Sequence, residues 1–413
     1  DPIGSRGLGD VYKRQDGTRI AVGLPYWQNN HATCNYNCPP GVVGHDQGRV
    51  LLYKRASPSD EWSATPFQQL GAASGGGEQT PDLWPDGGAS NLNEKYPSWV
   101  SRSGNPYHEH LGWDVVMSGN GAVLAASTIG NVYQNMGGVY VFDWDEAQQK
   151  YIRRDFGTTN HRYRLHYSCT TAEYCGFNIG RYGGLFGFKL SLDREGETLA
   201  IGWPLKGNAG DYRSAIGTAR VVDLTKTGSG WRWDDWTSSG SPAFVDLDGY
   251  GAEQSALPWG ISYVSYPRNG RSVALSGDGL RLAVGGYGHD STRIALLSAG
   301  YVRMWERADK DSSWHPMGDI NTQGFQYGYD NFADSPDFTD SQKRRHSDLY
   351  WSEIYSVSFM SNREDRFGEA VSLNYDGSVI AVGAPFYNSK RQKGYVVWRR
   401  WDAAAQYLSP IHI

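Results

Sequence analysis

The sequence predicts an all-β fold of repeated four-stranded antiparallel units, and three observations carry that expectation. One template recurs five times along the 413 residues. Each copy turns on Asp-Gly, Asn-Gly or Glu-Gly between two short apolar runs. Glycine (52 residues) and aromatics (16 Trp, 27 Tyr, 13 Phe) are both in excess, against an ordinary glycine content of about 7%.

The template reads as two short strands joined by a tight turn, a variable segment, then a glycine followed by a strand rich in Val and aromatics. Its clearest copy is Ser272-Val-Ala-Leu-Ser-Gly-Asp278-Gly279-Leu-Arg-Leu-Ala-Val-Gly285, followed by Gly300-Tyr-Val-Arg-Met-Trp305. The others turn at Asp16-Gly17, Asn120-Gly121, Glu195-Gly196 and Asp376-Gly377. Such dipeptides between apolar runs signal a hairpin, because Gly and Asn tolerate the positive φ that a tight reversal needs. The third strand begins near Gly48, Gly138, Gly217, Gly300 and Gly394. A downstream aromatic (Trp62, Tyr151, Trp231, Trp314, Tyr407) falls where a fourth strand would start. Asp402–Gln406 is the best helix candidate, and it is short. Four antiparallel strands repeated radially make a β-propeller blade, whereas a sandwich would not repeat one template five times.

The blades are expected at 16–70, 111–156, 184–236, 270–320 and 367–407, with insertions at 71–110 and 321–366. The turn glycines lie 75 to 104 residues apart, twice the roughly 40–50 of familiar propeller repeats. Half of each interval is therefore loop. The opening 1–15 and closing 408–413 resemble translated cloning-adapter read-through and are set aside from fold reasoning. On that reading 16–407 is an incomplete fragment of a larger propeller.

Charge and motifs narrow the function. With 39 Lys and Arg against 44 Asp and Glu, the net charge is −5, and Lys343-Arg344-Arg345-His346 is the one short basic cluster. Nucleic acid is not an expected partner, because such binding rests on concentrated positive charge. Apolar runs such as Ala122–Ala126 fall far short of the ~20 residues a membrane-spanning helix needs. No Gly-x-Ser-x-Gly, phosphate-binding glycine loop or His-Glu-x-x-His occurs, so no catalytic residue is nominated. His108-Glu109-His110 reads as a solvated loop. Cys34/Cys38 and Cys169/Cys175 form two local pairs without zinc-knuckle spacing. Two short disulfides are expected, and with them an extracellular location.

The copies also resemble the FG-GAP repeat of integrin alpha-subunit propellers. Both elements of that motif stand in the last copy, as Phe367-Gly368 and Gly383-Ala384-Pro385, and partly in Phe186-Gly187, Gly202-Trp203-Pro204 and Gly23-Leu24-Pro25. Leu111-Gly112 and Asn269-Gly270 depart at the first element, Ala126-Ser127-Thr128 and Gly285-Gly286-Tyr287 at the second. The resemblance implies a propeller that displays ligand-binding loops outside the cell, often with Ca²⁺ in loops between the first two strands. The hairpin turns here lack the full carboxylate set that Ca²⁺ prefers. Asp246, Asp248 and Glu253 have spacing closer to a cation loop and are the metal candidates, against an Asx-rich surface turn.

Trp27, Trp203, Trp236, Trp259 and Trp351 stand at strand ends or in loops, where rings stack on sugars or anchor a protein partner. About two-thirds of such aromatics are expected in packing instead. The functional expectation is a non-enzymatic extracellular or cell-surface binding and adhesion module for a protein or glycan ligand. The alternative is a glycan-processing propeller enzyme, a sialidase or another glycoside hydrolase. Against a sialidase Asp-box, Ser276-Gly-Asp278-Gly279 has Gly directly after Asp and no following Trp.

Overall fold

The computed structural model describes residues 11–13, 17–25, 48–71, 110–129, 137–154, 185–206, 217–225, 244–248, 268–286, 301–317, 326–328, 366–385, 394–402 and 407–410. These residues are all-β, and the strands form the four-stranded antiparallel blades of a β-propeller. The chain divides into two compact units, Asp1–Glu197 with Asp223–Ala243, and Thr198–Val222 with Phe244–Ile413.

In the first unit, β1 (Val11–Lys13), β2 (Arg19–Leu24), β3 (Arg49–Lys54) and β4 (Gln68–Gly71) form one sheet in chain order. A second sheet holds β5 (Val115–Met117), β6 (Val123–Thr128), β7 (Gly138–Asp145) and β8 (Lys150–Arg153), and β9 (Leu190–Leu192) opens the third repeat. In the second unit that repeat continues as β10 (Thr198–Trp203), β11 (Thr218–Asp223) and β12 (Phe244–Asp248). The fourth sheet follows as β13 (Ser272–Leu275), β14 (Arg281–Gly286), β15 (Tyr301–Glu306) and β16 (His315–Pro316), with β17 (Gln326–Gly328) sharing the edge of β15. The fifth comprises β18 (Ala370–Leu373), β19 (Val379–Ala384), β20 (Tyr395–Asp402) and β21 (Tyr407–Pro410).

Every sheet has the same two ends. At one, the first two strands meet in the expected hairpin. Ser118 shows how: its carbonyl accepts the Gly121 amide at 2.8 Å, Gly121 sits at φ 69°, and Asn120 Oδ1 accepts the Ala122 amide at 2.9 Å. Side-chain oxygens of these turns serve their own backbone, as an Asx turn does. Asp376 takes the Ser378 hydroxyl at 2.6 Å and amide at 3.0 Å, which hold its carboxyl below the usual range. Side chains from the end of the third strand close the same end. Arg55 Nε donates to the Gly17 carbonyl at 2.7 Å and lies 4.7 Å from the Trp62 ring. Arg307 Nε donates to Gly279 at 3.0 Å and lies 4.7 Å from Trp314. In the second blade the Tyr151 hydroxyl makes the same bond to Gly121 at 2.8 Å. The downstream aromatics thus lock hairpins, and Trp62 does so from the connection before β4 rather than from a strand.

At the other end, successive blades meet backbone to backbone. Gly48 bridges Leu111, Gly137 bridges Phe186, and Gly217 bridges Asn269, each in parallel sense. A β-carbon on Gly23 would overlap the Gly112 carbonyl oxygen, and one on Gly285 would overlap that of Gly368. The two motif elements are therefore complementary halves of one junction. Around them the inter-blade cores form: Ala21, Val50 and Leu52 with Val115 and Leu124 between the first two blades, Leu282 and Trp305 with Ala219 and Leu247 between the third and fourth, and Met304 and Val302 with Ile380 and Trp401 between the fourth and fifth. Strand β6 is buried along its whole length, whereas β2 and β19 alternate. In the fifth blade Val396 and Trp398 remain 59% and 45% exposed.

Several boundaries differ from expectation. The fourth strand of the third blade is Phe244–Asp248, beyond the expected limit at 236, because β11 pairs with it from Thr218↔Asp248 to Val222↔Phe244. Strand β17 lies inside the 321–366 insertion, pairing reaches into both terminal segments through β1 and β21, and Asp402 ends β20.

Gly285→Ala is expected to destabilise the protein by about 1–3 kcal/mol through overpacking. Gly383→Ala, whose new β-carbon meets only the Ala370 β-carbon at 3.4 Å and its oxygen at 3.7 Å, is expected to change stability by no more than about 0.5 kcal/mol. Urea denaturation followed by tryptophan fluorescence measures both, and equal effects would remove the junction from its proposed role.

Candidate functional site

Most of the long segments join strands at the junction end, whereas 226–243 joins β11 to β12 at the hairpin end. Residues 26–47, 130–136, 207–216, 287–300 and 386–393 leave after a second strand and return to a third, and 72–109, 155–184, 249–267 and 329–365 run on toward the next first strand. Loops carried on a rigid scaffold are where binding and catalysis concentrate. The residues that enter this end are placed by one recurrent turn. His110, Leu185, Arg268 and Arg366 each precede a junction pair, and all four adopt left-handed φ of 52–54°. Their carbonyls accept the amides of Trp113, Phe188, Arg271 and Glu369 at 3.0–3.2 Å. Non-glycine residues held in this region cost about 1–2 kcal/mol each, and such strain clusters at functional sites.

Because the turn repeats, equivalent residues of neighbouring blades become partners. In the first unit the Trp113 and Phe188 rings lie 5.4 Å apart, and Trp113 Nε1 donates to the Phe188 carbonyl at 3.2 Å. One position further, buried Asp114 takes Lys189 Nζ at 2.8 Å and the Leu190 amide at 2.5 Å. In the second unit the same positions hold Arg271 and Glu369. Arg271 Nε and Nη2 both donate to Glu369 Oε1, at 2.9 and 2.7 Å. The second oxygen, Oε2, is buried and has no hydrogen-bond partner among the described residues. Arg268 stands beside this pair. Burial lowers its pKa from the ordinary guanidinium value, the positive charges of Arg271 and Arg366 lower it further, and Glu369 opposes them. Three arginines and one carboxylate thus share a half-buried patch.

A second charged cluster is built around Asp246. Arg220, 2% exposed, grips it through Nε and Nη2 at 2.6 and 2.8 Å, and Lys206 Nζ adds a bond at 3.0 Å. Burial pushes the Asp246 carboxyl up, but the bonds and charges of Arg220 and Lys206 outweigh it and hold the pKa below the usual range. Both cations also lie 5.6 Å from the Trp203 ring. Trp203 is 5% exposed, so it is a packing residue rather than a ligand-contact aromatic.

The structure separates the other expected residues. Asp246 is on a strand, not in a cation loop, and both its oxygens are engaged by cations. Asp248 pairs through its backbone with Thr218, and Glu253 lies outside the described residues. Among the described residues no group of three His, Cys, Asp or Glu could hold a metal. Cys34, Cys38, Cys169 and Cys175 lie outside the described residues, as do Trp27, Trp236, Trp259, Trp351, His108 and Glu109. His110 is described, with its Nδ1 3.3 Å from the Pro25 carbonyl oxygen. No helix among the described residues is long and apolar enough to cross a membrane. Arg268, Arg271, Arg366 and Glu369 were not nominated from sequence. Aligning the copies on the junction pair would have placed opposite charges at one repeat position.

No family model matches the chain, and no curated protein matches it. Solved structures do. A protein of Bacteroides uniformis named as a 6-phosphogluconolactonase aligns at 8% identity and TM-score 0.39 over 97% of this chain and 83% of that one. The periplasmic gluconolactonase of Pseudomonas aeruginosa aligns at 12% and 0.41 over 97% and 70%. A Trichoderma reesei protein of carbohydrate-active enzyme family AA12 aligns at 12% and 0.39 over 99% and 81%. At these identities the likeness is one of fold. All three are named as enzymes and none as an adhesion or FG-GAP protein, which corrects the expectation of a non-enzymatic adhesion module.

Asp246→Asn is expected to destabilise the protein by about 3 kcal/mol, because it leaves Arg220 buried without its counter-charge. Lys206→Met, at a partly exposed position, is expected to cost no more than about 1 kcal/mol. The folded pKa of Asp246 is depressed, so its contribution is complete above the unfolded value of about 3.9. It is lost as pH falls through the lower folded value. Urea melts of wild type and Asp246→Asn at pH 7 and pH 3 are expected to differ less at the lower pH.

Proposed function

We propose that this chain is a β-propeller enzyme that hydrolyses a carbohydrate C–O bond at the junction end, with Glu369 as the proton-transferring carboxylate. The observation that carries the reading is the unequal use of the two Glu369 oxygens: Arg271 holds Oε1 while buried Oε2 has no partner among the described residues. A carboxylate fixed through one oxygen presents the other in a set direction, which is what general acid–base catalysis requires. In the reaction, ionised Glu369 takes a proton from water, the water oxygen bonds to the reacting carbon, the C–O bond breaks, and the departing oxygen receives the proton. Carbohydrate as the substrate class agrees with the names of the aligned structures, two lactonases and a carbohydrate-active enzyme. At the hairpin end Asp278 and Asp376 are engaged by their own turns, through the Leu280 amide and the Ser378 amide.

The test is a panel of chromogenic glycosides and sugar lactones, the latter because two structural neighbours are named as lactonases. Turnover of at least one compound is expected, with Glu369→Gln lowering kcat by about 10²–10⁴-fold. Because the amide also removes the counter-charge of half-buried Arg271, some loss of stability is expected, and kcat is compared well below the variant's thermal transition. A panel without turnover, or a fully active Glu369→Gln, would overturn the reading.

A further inference from the structure

We infer that this chain associates with a second copy of itself head to tail, the open face of the fifth blade of one copy receiving the first blade of the next. The inference is independent of the hydrolytic reading and extends an interface already repeated within the chain.

Strand pairing makes the blades comparable residue by residue. Gly23, Ser127, Gly285 and Gly383 stand opposite Val50, Val139, Val302 and Val396. Two residues earlier, Ala21, Ala125, Ala283 and Ala381 stand opposite Leu52, Val141, Met304 and Trp398. In the first, second and fourth blades both third-strand residues are fully buried. In the fifth, Val396 and Trp398 are 59% and 45% exposed. The backbone shows the same difference. A β-carbon on Gly23 or Gly285 would strike a carbonyl of the next blade, whereas one on Gly383 meets only Ala370 of its own blade among the described residues. Gly48 and Gly137 lie against Leu111 and Phe186 of the next blade, but the atoms nearest the equivalent Gly394 are those of Ala384 and Pro385. The fifth blade therefore presents the receiving side of an inter-blade contact, apolar and open.

The complementary side is carried by the same chain. A following blade contributes the opposite face of its second strand, as Leu124 and Ala126 do in the second blade and Ile380 and Val382 in the fifth, all of them buried. Their equivalents in the first blade, Ile20 and Val22, are only partly buried, and so is Leu24. Every copy thus brings one open face of each kind, and exposed apolar faces mark interaction sites. Because the two faces differ, the contact is heterologous, and it closes into a ring where the rotation allows.

Sedimentation velocity of the full chain from low to high micromolar concentration tests this. The wild type should grow from monomer to dimer or larger. Trp398→Glu and Val22→Glu each place a charge on one of the two faces, and each alone should hold the chain as a monomer. An equimolar mixture of the two variants retains one intact face of each kind and should recover association that stops at dimers. That recovery also shows both variants to be folded; Leu24→Glu takes the place of Val22→Glu if thermal unfolding shows the latter to be misfolded. A wild type that stays monomeric, association that survives either substitution, or a mixture of folded variants that does not associate would overturn the inference. With a monomeric wild type, a lower unfolding temperature for Trp398→Glu would give the face to the chain's own residues instead.

Discussion

The structure depends on one close approach: the backbone of each junction pair seated against a glycine of the blade before it. Carbonyl oxygens lie where β-carbons would be at Gly23, Gly48, Gly137, Gly217 and Gly285. No side chain can intervene, so the first strand of one blade is fixed relative to the second and third strands of its predecessor. From that follow the inter-blade cores, since a repeat that cannot cover its own faces must use its neighbour's.

The same constraint sorts the molecule's chemistry by end. At the hairpin end, oxygens and cations are spent on closing turns: Asp278 on the Leu280 amide at 3.0 Å, Arg307 on Gly279 and Thr198. At the junction end the turn lifts a side chain into left-handed conformation in each repeat and sets the next residues against their equivalents one blade on. Where the sequence supplies rings, as at Trp113 and Phe188, the result is packing. Arg271 and Glu369 turn the same geometry into a polarised carboxylate.

Hairpins and blades were legible in the sequence because their determinants are local. A Gly at positive φ after Asp, Asn or Glu, and an Ala-rich second strand, identify themselves within a dozen residues. The third blade was misjudged at its far strand, since Phe244–Asp248 carries no turn signal of its own and owes its conformation to pairing with β11. Asp246 was misread for the same reason: its spacing suggested a cation loop, but Arg220, 26 residues earlier, supplies the charge that holds it. Trp203, read as a ligand-contact ring, is covered by Lys206 and Arg220, one close in sequence and the other brought near by strand pairing.

By itself, the sequence determined the all-β class, the four-stranded unit and its five repeats, because tight turns and strand alternation are encoded by neighbouring residues. Only the tertiary structure decided which charges meet. Arg271 and Glu369 stand 98 residues apart, so their encounter comes from the stacking of blades at the glycine junction. Pairwise electrostatics between distant segments is written in the packing, and no local pattern reports it.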